Sequence, residues 1–457
     1  VSATPSSARA ANGPATGLSL APFRALRYTN VAGDLGSLLC PPYDVIDDDA
    51  RENLLATNPA NAVGVILPRR PSELAHGNTA PPGPATAADP YRGAAQRLAD
   101  WLADGVVAVD DEAAIYVYEI RSPGTADAPA EVTRGLLGAV QLRAPEDGVI
   151  LPHENTMAGP VADRLALMDA TDTNLEPIYL VYDGGGAASD AVASVDRGDA
   201  AGAAPTFVTS TRTPDGLDHR LWAITDPARL SAIAEDLGTR RALIADGHHR
   251  YATYLQLAAQ RDRDLGPGPW DRGLALLVDT STYGPQVHPI HRVIPGFSFA
   301  DAAELAAGPF VVTETSSIES GLDALEQADD GFAAVVTDGR HTAVIQHPST
   351  DALAAARNPD EPPALLDLDV TVLHRVLIER AWRLTDDEHH VGYAHDVEEA
   401  LAAAAATDGI AVLVRATPVA AVAAVAAAGA RMPRKSTFFT PKPASGLVMR
   451  RFADQSA

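Results

Sequence analysis

The sequence predicts a mixed α/β fold. Three observations carry this. Short apolar runs of strand length recur along the chain, among them AIYVYEI at 114–120, PIYLVY at 177–182 and RALIA at 241–245. Between them lie segments with helical spacing, such as 91–102, which carries Leu98, Trp101 and Leu102 on one side. No strand is followed by GxGxxG, which argues against a Rossmann sheet. The strands are short and partly antiparallel.

Composition bounds the function. The chain has 457 residues, with 35 Lys+Arg against 60 Asp+Glu and a net charge of -25. At 46% hydrophobic and 21% charged it is globular material. The acidity argues against nucleic acid and against an anionic membrane surface, since both need positive potential. Cys40 is the one cysteine, so no intrachain disulfide forms and a cytoplasmic setting is compatible. No apolar run reaches the roughly 20 residues of a membrane span. Residues 1–20 are small and polar and read as a disordered tail, not a signal peptide.

From residue 21 the elements follow in order. Pro41-Pro42 enforces an extended turn ahead of a helix that Asp47 caps. Residues 63–67 (VGVIL) read as a buried strand and 71–90 as a Pro/Gly-rich loop. After the 91–102 helix come strands at 114–120 and 134–142, a helix at 161–170 and a strand at 177–182. Residues 184–204, rich in Gly, Ala, Ser and Asp, read as a surface excursion. A strand at 218–224, a helix at 227–237 and the strand at 241–245 lead into the helix that follows DGHHR. The last third alternates helices and strands and ends in a basic loop. This gives a tail at 1–20, an N-terminal α/β region at 21–145, a core at 146–295 and a C-terminal α/β region at 296–457.

Leu243–Tyr254, LIADGHHRYATY, is the segment richest in chemistry. A buried strand ends in Asp246-Gly247, and a helix starts at His248. Helix N-termini carry unpaired amides and partial positive charge, which suits an anion. Arg250 can grip a phosphate bidentately. His248 and His249 can exchange protons near neutral pH. Asp246 can orient an imidazole or bind a metal ion, and Gly247 permits close backbone approach. Zinc is disfavoured, because adjacent helical histidines point roughly 100° apart. The bland alternative is an N-cap with solvated first-turn side chains.

A second segment is LPHENTMAGPVADR at 151–164. Glu154 can take a proton from a hydroxyl, while His153 or Arg164 fixes a substrate anion. The bland reading is a surface turn. A third is 431–442, where Arg434, Lys435 and Lys442 stand among Ser and Thr as a cationic clamp or as a basic surface loop. Cys40 reads as a small buried hydrophobe. His374, His389, His390 and His395 carry no functional reading.

PFRALRY, LCPPYDVI, LPHENTMAGPVADR, ADGHHRYATY and RMPRKSTFFTPKPASGLVMR together identify the chain as resembling the family catalogued as "domain of unknown function 1015". More locally, the PHE segment and the strand–DGHHR–helix turn are similar to free-serine kinases of the ParB/sulfiredoxin-like fold. That resemblance implies a ParB/sulfiredoxin-like core at 146–295 with α/β elaborations on either side. It implies a catalytic role for Glu154, with His248 and His249 in support. It implies phosphate contacts at Asp246, Gly247, His248, His249 and Arg250, and a metal at Asp246. The expected activity is transfer of a phosphoryl group from ATP or ADP, with Mg²⁺, to a small hydroxyl compound, free L-serine first. Phosphoryl transfer needs phosphate positioning, charge neutralisation and one base, which fits these residue types. A phosphatase and a ParB-like nucleotide-binding regulator are the alternatives. The expected partners are a nucleotide and a small molecule, and a homo-oligomer is compatible.

Overall fold

The computed structural model describes residues 17–69, 89–124, 130–196, 204–328, 331–387, 389–433 and 435–455. Two compact units emerge, neither continuous in sequence. The first comprises Val1–Ile150, Thr156–Pro285 and Pro441–Ala457; the second comprises Leu151–Asn155 and Gln286–Thr440.

The first unit is built on a large mixed sheet. Its strands run in the order Ala242–Asp246, Ile178–Tyr182, Arg272–Asp279, Val132–Gln141, Ile115–Arg121, Asp218–Ile224, Thr206–Arg212. Ile178–Tyr182 and Arg272–Asp279 lie parallel, with Ala275 opposite Ile178. Their neighbours along this order pair antiparallel. Ile178, Leu180, Leu277, Tyr251, Tyr254 and Leu257 join one apolar core. The helix His248–Leu265 packs there beside the helix Ala158–Thr171. Val132–Gln141 pairs directly with Arg272–Asp279. The boundary expected at 145 therefore does not separate two folding regions, because sheet formation joins strands from either side of it.

The second unit is a six-stranded sheet in the order Val311–Thr315, Thr342–Gln346, Ala333–Thr337, Ile410–Val414, His291–Ile294, Gly392–Ala394. Successive strand side chains point to opposite faces. Ala334, Val336 and Val412 accordingly enter one cluster, with Phe310, Val376 and Trp382. Ala333, Val335 and Leu413 enter another, with Leu325, Ala400 and Ala404. Buried on both faces, these strands read as continuous apolar runs. Residues 441–457 belong to the first unit, so the region expected as 296–457 does not hold together as one piece.

Most expected elements form within a residue or two of their predicted places; the helix expected at 161–170 starts three residues earlier, at Ala158, and two segments differ in kind. VGVIL is a short helix, Val63–Ile66, entirely buried. Asn61 sets it up: its Oδ1 accepts from Val63 N (2.9 Å), and its amide donates to the carbonyls of Ser37 and Leu39. A short apolar run cannot distinguish strand from buried helix by pattern alone. Within 184–204, Gly186–Ala193 is a helix whose Ala188, Ala191 and Val192 are buried. The expected loop at 71–90 lies mostly outside the described residues, as do residues 1–16 of the tail expected at 1–20; the end of that tail is ordered instead, because Leu18 and Leu20 are buried in the apolar core and Leu20 pairs with Val140. Cys40 is buried, and burial pushes its thiol well above the usual range, as suits an inert small hydrophobe. Among the described residues no helix is long and apolar enough to cross a membrane.

Candidate functional site

In the first unit the DGHHR turn forms at the expected junction. The strand Ala242–Asp246 ends, Gly247 turns, and the 18-residue helix begins at His248. Gly247 sits at φ 92° and ψ 30°, a left-handed conformation that glycine adopts without a Cβ penalty. As N-cap it has no side chain to offer the first-turn amides, which helix geometry leaves without intrahelical partners. A Cβ there would lie 3.2 Å from Arg250 Nε and 3.3 Å from Ile178 Cγ2, so the turn is packed as closely as glycine allows.

Asp246 is the centre of a charge network. Its Oδ1 lies 2.7 Å from Lys442 Nζ, and its Oδ2 accepts from Arg250 Nη2. Lys442 also reaches Asp44 Oδ2 at 3.3 Å. Burial alone would raise the Asp246 carboxyl, but Lys442 and then Arg250 outweigh it and bring it down to about 2. Burial acts to discharge Lys442, yet Asp246 and Asp44 hold its pKa above the ordinary value. Both groups therefore stay charged across the physiological range.

Arg250 does not face outward as its place on the first turn suggests. It is 3% exposed, and its Nη1 donates to the Pro177 carbonyl. The cavity it lines with Arg164, Glu176 and Tyr254 is about 20 Å³, room for a water and not for a phosphate. Removing a guanidinium from water is costly, and Asp246 and Pro177 offset this at Nη2 and Nη1 while Nε is left without a hydrogen-bond partner. Arg250 thus holds the turn in place. Arg164 is likewise turned inward: its Nε donates to Asp163 (2.9 Å), its Nη1 to Ile66 O, and its guanidinium lies 4.1 Å over the Tyr43 ring. The expected role of Arg164 on a substrate anion gives way to a structural one.

His248 is buried, and its charge adds to the fields that depress Asp246. His249 is half-buried, and its Nε2 accepts from Met157 N at 3.1 Å. That bond puts the ring proton on Nδ1. Asp246 as a metal ligand fits poorly, because both its oxygens already meet cations. Among the described residues no three His, Cys, Asp or Glu side chains converge to hold a metal ion.

The PHE residues belong to the second unit. His153 is fully buried, with its Nε2 3.0 Å from Thr437 Oγ1 and its carbonyl accepting from Met432 N (2.8 Å). It is a packing residue there, not an anion ligand. Glu154 is more open, with its side chain 24% exposed, and its Oε1 accepts from Ser436 N at 3.4 Å. Lys435 is exposed, and its carbonyl accepts from Arg292 Nη2 at 3.0 Å. Arg434 lies outside the described residues. Asp246–Arg250 and Lys442 are therefore gathered in one unit, and His153, Glu154 and Lys435 in the other.

Sequence reasoning missed Glu176. Asp44 and Glu176 are the other anions of the first network. Glu176 Oε1 accepts from Tyr43 N (3.1 Å) and from Ser445 Oγ (2.9 Å). Glu176 gave only its place just before a strand.

A family model described as "Protein of unknown function (DUF1015)" matches residues 20–371. Among curated proteins there is no match. Among solved structures the chain is similar to a free serine kinase variant in complex with ADP, at 13% identity over 70% of this chain and 90% of that one, with a TM-score of 0.35. It is also similar to a conserved hypothetical protein from Pyrococcus furiosus, at 14% identity, 71% and 97% coverage and a TM-score of 0.33. A third is SbnI with C-terminal truncation from Staphylococcus aureus, at 12% identity, 68% and 85% coverage and a TM-score of 0.34.

Proposed function

We propose, from the premise that the chain belongs to the family described as Protein of unknown function (DUF1015), that it is a cytoplasmic small-molecule phosphotransferase with a ParB/sulfiredoxin-like core. The donor is a nucleotide, ATP or ADP, and the acceptor a small hydroxyl compound, with free L-serine the first to test. The observation that carries the reading is the turn at Gly247. A side-chain-free N-cap opens a long helix, and helix starts of this kind suit phosphate oxygens.

In this reading each residue has a part. Arg250 and Lys442 hold Asp246 ionised, which fixes the strand end and hence the direction of the amides. His248 and His249 are the imidazoles nearest the bound phosphates in this reading, and Gly247 lets them approach the backbone. Glu154 takes the proton of the acceptor hydroxyl, whose oxygen bonds to phosphorus as the bridging oxygen leaves with the nucleotide. Lys435 belongs to the same basic segment as Lys442 and is proposed as a further phosphate contact. Among the described residues there is no protein-made cage for the Mg²⁺ expected with the nucleotide.

Purified protein incubated with ATP or ADP, Mg²⁺ and L-serine should form phosphoserine, read by mass spectrometry. Glu154→Gln should lower the rate about 10²- to 10⁴-fold while leaving nucleotide binding intact. Failure of serine alone removes that substrate. Failure of any nucleotide or pyrophosphate to bind removes the class.

A further inference from the structure

The second unit contains a cleft of about 490 Å³ that the phosphotransfer reading does not use. Its volume falls within the roughly 300–1,000 Å³ of small-molecule sites. One wall comes from an unusual helix. Leu373–Ala381 is a π-helix, with Trp382 N donating to Leu377 O, five residues back, at 2.9 Å. Such widened turns are rare and often mark functional sites. The widening has a consequence here. His374 and Glu379, five apart, would diverge on an α-helix, yet both line the cleft, together with Arg375.

Behind His374 runs a buried relay. Arg292, 1% exposed, donates from Nε and Nη2 to His374 Nε2 at 3.1 and 3.0 Å. The imidazole must then carry its proton on Nδ1, which lies 2.9 Å from Asp386 Oδ2. Asp386 is thus held rigidly at the cleft wall. Glu361 and Arg375, also in the wall, form a bidentate pair that largely neutralises itself. Asp360 and Glu379 add two more carboxylates against Arg431, whose Nη1 turns back to Ala430 O at 3.2 Å. The helix Val419–Ala427 ends at the cleft, at Ala428–Ala430, and contributes the partial negative charge of its C-terminus.

Among the described residues no three His, Cys, Asp or Glu side chains converge closely enough for a metal ion, so the negative groups surround space rather than a point. We propose that this cleft is a binding site for a small organic ammonium compound, with the ammonium set among Asp386, Glu379 and Asp360. The site is independent of the phosphotransfer reading and needs no nucleotide.

The test is a calorimetric titration of the full chain, without nucleotide, with 1,4-diaminobutane and with its neutral counterpart 1,4-butanediol. The diamine should bind saturably and the diol should not. The double variant Asp360→Asn, Glu379→Gln should weaken the diamine about tenfold, roughly 1.4 kcal/mol. Where the double variant fails to fold, Glu379→Gln alone, at an exposed helical position, replaces it and should weaken binding severalfold. No saturable diamine binding, equal binding of the diol, or unchanged affinity in the variant overturns the proposal.

Discussion

Arg250 in the first unit and Arg292 in the second are both buried to 3% exposure or less, and the two are handled in opposite ways. In the first unit Arg250 meets a carboxylate directly, at Asp246. Burial works to discharge it, yet Asp246, Glu176 and Asp44 more than compensate and raise its pKa above the usual value. In the second unit Arg292 reaches Asp386 through an imidazole. Burial wins there and pushes its pKa down to about 10, against help from Tyr393, Asp386 and Glu154. A directly paired charge is closed on itself and fixes a turn. A relayed charge leaves its carboxylate at the edge of a cleft.

Replacing each arginine separates the two cases. Arg250→Met leaves Asp246 with Lys442 alone and the Pro177 carbonyl without its donor. Breaking a buried pair this way costs about 3–5 kcal/mol. Arg292→Met removes a cation that burial already disfavours, and strands hydrogen-bond acceptors at Ile290, His374 and Lys435, for about 2 kcal/mol. Urea unfolding of the full chain measures both. Equal losses would erase the distinction.

Two buried histidines extend the comparison to pH. His219 in the first unit and His291 in the second are each pushed down to about 4, chiefly by burial. His219 lies between Tyr118 Oη (2.9 Å) and Thr213 Oγ1 (3.0 Å), and His291 Nδ1 accepts from Val414 N (3.2 Å). A histidine depressed in the fold takes up its proton more readily when unfolded. Its contribution is therefore complete above about pH 6.5 and is lost as pH falls towards 4. Each should cost the protein about 2 kcal/mol by pH 5 relative to pH 7. His291→Asn, which can keep the acceptor for Val414, should flatten the pH dependence of the unfolding midpoint by that amount. An unchanged slope would mean that His291 titrates normally.

What the sequence made legible follows from range. The strand–DGHHR–helix junction is local, so a buried strand, a glycine and a helix start could be read directly, and they form where expected. Orientation is not local. Arg250 sits on the first turn as predicted, but whether it points at solvent or at Pro177 depends on a strand 73 residues away. His374 attracted no reading because a single histidine in an apolar helix looks like any core residue; its partners, Arg292 and Asp386, lie 82 and 12 residues away. The split of His153–Glu154 from Asp246–Arg250 was equally invisible, since the chain changes unit twice within a few residues, at 150/151 and 155/156.

The smallest expected effect compares two left-handed glycines, one per unit. Gly247 has φ 92° and Gly429 has φ 75°. A Cβ on Gly429 would meet nothing within 4 Å, whereas one on Gly247 meets Arg250 and Ile178 at 3.2–3.3 Å. Gly429→Ala should therefore cost only the left-handed backbone penalty, about 1 kcal/mol. Gly247→Ala adds a crowded contact that displaces the Arg250 guanidinium by a few tenths of an ångström, for about 1–2 kcal/mol in all. The functional readouts should divide as well. Gly247→Ala redirects the helix-start amides and should weaken nucleotide binding without altering diamine binding. Gly429→Ala, on the cleft wall, should do the reverse. Thermal unfolding together with the two titrations checks this, and a Gly247→Ala protein that binds nucleotide as the parent does would remove the turn from the proposed site.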